Sequence, residues 1–221
     1  MKRVEINSLY DLTHSVAGDY LAGFKYPWEA LRGIGDFIVS LGKTLDPQKF
    51  EKRENNVWVA KSAKVAPTAF LGENCIIDEN AEVRHCAFIR GNALVGKGAV
   101  VGNSTELKNV ILFDNVQVPH YNYVGDSILG YRSHMGAGSI TSNVKSDKTL
   151  VVINVEGEKY ETGIKKIGAM LGDCVEVGCG SVLNPGTVIG KNSNVYPLSS
   201  VRGFVPQNSI YKKRGEVAEK R

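Results

Sequence analysis

Aliphatic residues recur every six positions over a long stretch of the chain: Val59, Val65, Leu71, Ile77, Val83, Ile89, Val95, Val101 and Leu107. Two positions before each stands Val57, Ala63, Ala69, Cys75, Ala81, Ala87, Ala93, Ala99 or Thr105, nearly all small. The series runs on, with two slips of one residue, through Leu112, Val118, Val124, Leu129, Met135 and Thr141. It resumes at Leu171, Val177, Leu183, Ile189, Val195 and Val201. A period of six fits neither an amphipathic helix nor an alternating strand. It fits a short strand and a corner, repeated: the aliphatic side chain fills an interior, and the small one sits where the wall turns. A sandwich of short strands would need hairpin turns every 8–12 residues, and the sequence has almost none.

Two regions fall outside the pattern. Residues 1–55 are expected to be a helical segment: Trp28, Leu31, Ile34, Phe37, Ile38, Leu41 and Leu45 lie mostly three or four apart. Gly33, Gly35 and Gly42 favour two shorter helices over one long one. The repeats are expected over 56–204, interrupted by an insertion at about 144–168. There VVINVEGEKYETG alternates as a small hairpin around Glu156 and Gly157 that is placed to leave a corner and cover a cleft. Residues 205–221 read as a C-terminal tail.

The repeat resembles the hexapeptide motif of the left-handed parallel β-helix, a mainly β architecture in which three hexads make one triangular coil. The resemblance implies roughly seven coils at ~4.8 Å per rung. Proteins of this fold are mostly acyltransferases, but a fold does not fix a function.

Composition narrows the setting. The 221 residues carry a formal net charge of +4, mild enough to imply no nucleic acid and to suit an anionic small substrate. No apolar run approaches a membrane span of about 20 residues, and the N-terminus lacks the apolar core of a secretory signal. Cys75, Cys86, Cys174 and Cys179 form no CxxC pair, which suggests free thiols in the cytoplasm. No regular ligand spacing points to a metal site, and no obligatory metal is expected.

The stretch RGNALVGKGAVVGNSTELKNVILFDNVQVPHYNYVGDSILGYRSHMGAGSITSN, from Arg90 to Asn143, carries a more specific signal. Arginine, GNxxELK, HxxYxGD and GAGSITxN follow in that order. It is similar to the acetyltransferase domain of the bifunctional enzymes that combine glucosamine-1-phosphate N-acetyltransferase with UDP-N-acetylglucosamine pyrophosphorylase. That resemblance implies a homotrimer that moves acetyl from acetyl-CoA, as co-substrate, to the amine of a sugar phosphate or nucleotide sugar. His120 falls on the general base, Arg90 and Lys108 on cations that hold the sugar phosphate, and Tyr123 on a tyrosine that contacts it. Asn143 falls on an asparagine near the acetyl group, and Arg214 on an arginine that contacts coenzyme A.

There are departures. His134 stands where the family has an asparagine in the sugar site, and Val144 where it has a tyrosine. A lysine of the family falls in the insertion, with Lys165 and Lys166 as candidates. The glycine-rich nucleotide loop of the pyrophosphorylase half is absent; Leu21-Ala22-Gly23-Phe24 is only an echo of it.

The chemistry is coherent without the family. A histidine can take the amine proton at neutral pH, and arginine and lysine together suit a phosphate. Arg90 and Lys108 are 18 residues apart, which stacks them on one corner of adjacent coils. His120 need not share that corner within one chain. His134 reads as a ligand contact, a second base or an ordinary corner residue. Cys179 is a corner filler or a wall of the coenzyme A groove. The Lys212–Arg214 run is either an exposed tail or a contact for coenzyme A phosphates. A trimer that binds a sugar phosphate without turning it over is the rival reading.

Overall fold

The computed structural model describes residues 3–213 and 216–220. The hexads form a parallel β-solenoid of about nine turns, taller than the seven coils that the sequence count implies. The extra height lies partly beyond Val201, the last aliphatic residue of the series: Phe204–Val205 pairs with Thr187–Ile189, and Ser209–Lys213 pairs with Asn194–Val195. Ser209–Lys213 then turns back antiparallel on Glu216–Glu219, so the segment from 205 onward carries strands.

Three faces wrap one core. The first face stacks Phe70, Phe88, Glu106, Tyr123, Ile140, Val182 and Ser200 in register. The same strands bend onto the second face, where Ile77, Val95, Leu112, Leu129, Leu171 and Ile189 stack. The third face runs from Lys64–Val65 through Gln117–His120 and His134–Met135 to Ser209–Lys213. The aliphatic hexad residues are buried, apart from Val65 and Leu71, which are partly buried near the first coil. At that end Phe50–Arg53 pairs antiparallel with Val57–Ala60 and covers an otherwise open sheet edge.

The corners explain the small and polar residues between the aliphatic ones. Asn56, Asn74, Asn92 and Asn109 occupy successive corners between the first and second faces, with φ of 50–56°. Asparagine tolerates this left-handed region better than most side chains. Their amides also link rungs: Asn56 donates to Asn74 and Asn74 to Asn92, at 3.1 and 3.0 Å. At the next rung of this ladder stands Asp126, φ 49°.

The first slip of the repeat has a local cause. Between Ile89 and Gly91 the register shifts, and Lys108 pairs with Gly91 rather than Arg90. Arg90 is the extra residue of a bulge, so it does not stack on Lys108 as an 18-residue spacing suggests. Across the bulge the chains run close: a Cβ on Gly72 would lie 2.2 Å from the Arg90 carbonyl oxygen.

The N-terminal segment is helical in short pieces, Ile6–Leu9, Gly18–Ala22, Pro27–Ala30 and Ile34–Gly42. Trp28, Leu31, Ile34 and Ile38 are buried, as their spacing predicts. Ile34–Gly42 lies against the strands Phe70–Ile77 and Phe88–Val95. The inserted hairpin pairs Val152–Val155 with Glu158–Glu161 through a turn at Glu156 and Gly157, both with positive φ. It buries Val151 and Ile153 against the prism near Gly186, and Tyr160 packs on Tyr26 and Trp28. The hairpin therefore bridges the prism and the N-terminal segment. No helix among the described residues is long and apolar enough to cross a membrane.

Candidate functional site

Asp126 is the hub of a polar cluster at the corner of the first and second faces. Its carboxylate is almost fully buried and accepts three hydrogen bonds: from Lys108 Nζ at 2.9 Å, Asn109 Nδ2 at 3.0 Å and Asn143 Nδ2 at 2.6 Å. These bonds replace the hydration that a carboxyl group loses on burial. Asn143 also donates to the Tyr123 hydroxyl at 3.2 Å. One rung below Tyr123, Glu106 accepts from Arg90 Nη1 at 3.0 Å. Four residues predicted to bind substrate, Arg90, Lys108, Tyr123 and Asn143, are thus gathered on neighbouring rungs.

The electrostatics of the cluster differ from rung to rung. The Glu106 hydrogen bond and charge raise the Arg90 guanidinium further above its already high value. Burial raises the Tyr123 phenol, and the Asp126 and Glu106 charges raise it further. The phenol therefore stays protonated at neutral pH and can donate to an anion. Arg90 is half exposed at the side chain, whereas Lys108 is mostly covered. Arg90 can leave Glu106 for a ligand at small cost, because exposed ion pairs contribute little. Lys108 is bound more firmly to its buried carboxylate.

His120 lies around the next corner. It ends the strand Gln117–His120 on the third face, and Tyr121 and Asn122 turn the chain onto the first face at Tyr123. The corner is fixed from inside. Asn122 is buried, its Nδ2 donates to Gly136 O and Ser139 O, and its Oδ1 accepts from the His120 backbone N–H. Below, a Cβ on Gly102 would fall 1.5 Å from Pro119 O, so only glycine fits under this strand. The His120 side chain is exposed.

His134 sits on the third face, one rung above Gln117 and one below Glu176. Its Nδ1 is 2.7 Å from Glu176 Oε2. The pair borders an open groove of about 1080 Å³, lined also by Cys179, Tyr196, Pro197 and Lys212. Arg214 lies outside the described residues. Lys166 forms an isolated antiparallel bridge with Val144, next to Asn143. No group of three metal-ligating side chains occurs among the described residues.

Sequence reasoning missed several of these participants, among them Asp126, Asn122 and Glu176. Asp126 belongs to the HxxYxGD motif, and only its fixed place there hinted at a role. Asn122 had no such hint. Glu176 lies 42 residues from His134 in sequence, across the insertion, and no local pattern joins them.

Residues 71–175 match the family model described as the GMPPB C-terminal domain. The chain is 36% identical over 115 residues to the bifunctional protein GlmU of Methanococcus maripaludis; the match covers 52% of this chain and 28% of that one. It is 32% identical over 109 residues to a bifunctional sugar-1-phosphate nucleotidylyltransferase/acetyltransferase of Sulfurisphaera tokodaii, covering 49% and 27%. The chain thus spans little more than a quarter of the length of these relatives. Among solved structures, a perosamine N-acetyltransferase from Caulobacter crescentus aligns over 80% of this chain and 61% of its own, with 18% identity and a TM-score of 0.34.

Proposed function

We propose that the protein is an acetyl-CoA-dependent N-acetyltransferase acting on an amino sugar phosphate or nucleotide sugar, with His120 as general base. The observation that carries this reading is the Asp126-centred cluster. Arg90, Lys108, Tyr123 and Asn143 are expected to bind substrate from their order along the chain; Lys108, Tyr123 and Asn143 are linked through Asp126 in one hydrogen-bonded group, and the Arg90–Glu106 pair lies one rung below Tyr123. The named acetyltransferase activity of the relatives supports the same reading.

In this mechanism Arg90 turns from Glu106 toward the acceptor phosphate, and Tyr123 donates to it. His120 takes the proton as the amine attacks the thioester carbonyl; the C–S bond then breaks, and the departing coenzyme A thiolate takes that proton from the imidazolium. The groove beside His134 holds the thiol arm of coenzyme A along Cys179, with Lys212 toward its phosphates. His120 and the cluster lie at two different corners, one at each end of the first face, so a single chain forms an incomplete cleft. A homotrimer, in which the first face of one subunit meets the third-face corner of the next, completes it. The exposed rings of Phe70 and Phe88, 5.5 Å apart on the first face, suit such a contact. Free cysteines accord with a cytoplasmic site.

Release of coenzyme A thiol from acetyl-CoA, with amino sugar phosphates and nucleotide-linked amino sugars as acceptors, tests the reading. Turnover is expected with at least one acceptor class. Binding of both ligands without thiol release would instead support the rival, a non-catalytic binding trimer. Light scattering should report a trimer of 24.0 kDa chains, and a stable monomer at micromolar concentration would remove the shared cleft.

A further inference from the structure

On the third-face side of the prism, two rungs below Tyr121, a thiol, an imidazole and a hydroxyl form a chain of contacts. Cys86 Sγ lies 3.2 Å from His85 Nε2, and His85 Nδ1 lies 2.7 Å from Thr68 Oγ1. Thr68 Oγ1 also accepts from the Cys86 backbone N–H at 3.3 Å. The His85 carbonyl is held by Asn103 Nδ2 at 2.9 Å, and Asn103 pairs in register with His120 on the rung above. All three side chains are exposed. Neither the acetyl-transfer cluster nor the groove uses them.

A nucleophile within reach of a base, with the base oriented by a third group, is the arrangement that activates a thiol. The hydroxyl oxygen of Thr68 has room for a second donor, and the tautomer that donates from Nδ1 to Thr68 turns the Nε2 lone pair toward the thiol. A surface concavity of about 510 Å³ begins at His85 and is lined by Lys64, Glu82 and Arg84. Two cations against one carboxylate leave it net positive.

We propose that Cys86 is a reactive thiol, activated by His85 and Thr68, that exchanges with small anionic disulfides. The thiol proton passes to His85 Nε2 as Sγ attacks one sulfur of the disulfide. The S–S bond breaks, a mixed disulfide forms on Cys86, and the departing thiolate takes the proton from the imidazolium. One thiol and one disulfide give one disulfide and one thiol, with no net oxidation.

The other cysteines serve as internal standards. Burial pushes the Cys75 thiol up to about 12, which silences it. Cys179 is exposed and has no hydrogen bond to an imidazole among the described residues. The full chain is incubated with glutathione disulfide or with cystamine, and the mixed disulfide at each cysteine is followed by peptide mass spectrometry. Cys86 should react ~10²-fold faster than Cys179, the low end of what a positioned base supplies. His85→Ala should remove that advantage and leave the Cys179 rate unchanged; Thr68→Val should remove part of it, and Thr68→Ser should restore it. Glutathione disulfide, an anion, should outpace the cationic cystamine at Cys86 only. Equal rates at Cys86 and Cys179, or a Cys86 rate indifferent to His85→Ala, would overturn the proposal. Equal rates for the two disulfides would overturn the part assigned to the concavity.

Discussion

The corner of the first and second faces and the corner of the third and first faces are built from the same hexad, yet they differ in charge balance. At the first, each cation has a carboxylate in the same chain: Arg90 with Glu106, and Lys108 with the buried Asp126. At the second, the His120 ring is exposed, with only its backbone fixed by Asn122. One corner is organised before any ligand arrives, and the other is a pinned backbone that presents an exposed imidazole. Under the proposed function, the difference separates binding from chemistry. Changes at the balanced corner should act on acceptor affinity and stability, and changes at the open corner on turnover.

The largest effect tests the open corner. His120→Ala should lower kcat by ~10²–10⁴-fold with little change in the KM for acetyl-CoA. The fold and assembly should survive, because the ring fills no part of the core. Steady-state kinetics with light scattering on the same sample checks both halves. If the rate persists while His134→Ala abolishes it, the base is His134, whose imidazole Glu176 already holds.

This contrast also marks what the sequence could convey. The prism was legible because each aliphatic residue of the hexad faces one interior, and a period of six has few other physical origins. The hairpin was legible from its alternation and from Glu156 and Gly157. The cluster was legible only as a list of residues in order; what joins Lys108, Tyr123 and Asn143 is Asp126, whose partners come from the rungs below and above its own. Arg90 shows the limit most clearly. Counting 18 residues stacks it on Lys108, while the register shift puts Gly91 there and turns Arg90 toward Glu106. A slip can be seen in the sequence, but which residue bulges depends on the rungs above and below.

Asp126→Ala attacks the balanced corner at its centre. It strands Lys108, Asn109 and Asn143 without their acceptor, and loss of one partner from a buried ion pair is costly. A fall in unfolding free energy of about 3 kcal/mol is expected in urea melts. Lys108→Ala should share part of this loss, since it leaves the buried Asp126 carboxyl short of a partner. Arg90→Ala should leave stability nearly unchanged, because its pair with Glu106 is exposed. A loss for Arg90→Ala as large as that for Asp126→Ala would mean that the two pairs are not distinct.

Arg90→Ala should instead appear in kinetics, raising the acceptor KM by about 10-fold, the scale of one charge-assisted contact with a phosphate. The KM for acetyl-CoA should move far less. An acceptor lacking a phosphate should show no difference between wild type and variant. Equal or larger losses for acetyl-CoA would assign Arg90 to the other ligand and dissolve the division between the corners.

The smallest effect falls on the third face, at His134. This imidazole is held by Glu176 at 2.7 Å and borders the groove, but it stands where the resembling enzymes carry an asparagine. His134→Asn keeps a side chain that donates and accepts hydrogen bonds and removes the one that can carry a charge. If His134 tunes the acceptor pocket, kcat should change by only a few-fold, about 1 kcal/mol or less, while the ratio of kcat/KM between two acceptors shifts. Glu176→Gln leaves the imidazole in place with a neutral partner, so it should shift the same ratio in the same direction and by less. Opposite directions for the two variants would show that Glu176 acts on its own, and a ratio unmoved by either would place the pair outside the acceptor pocket.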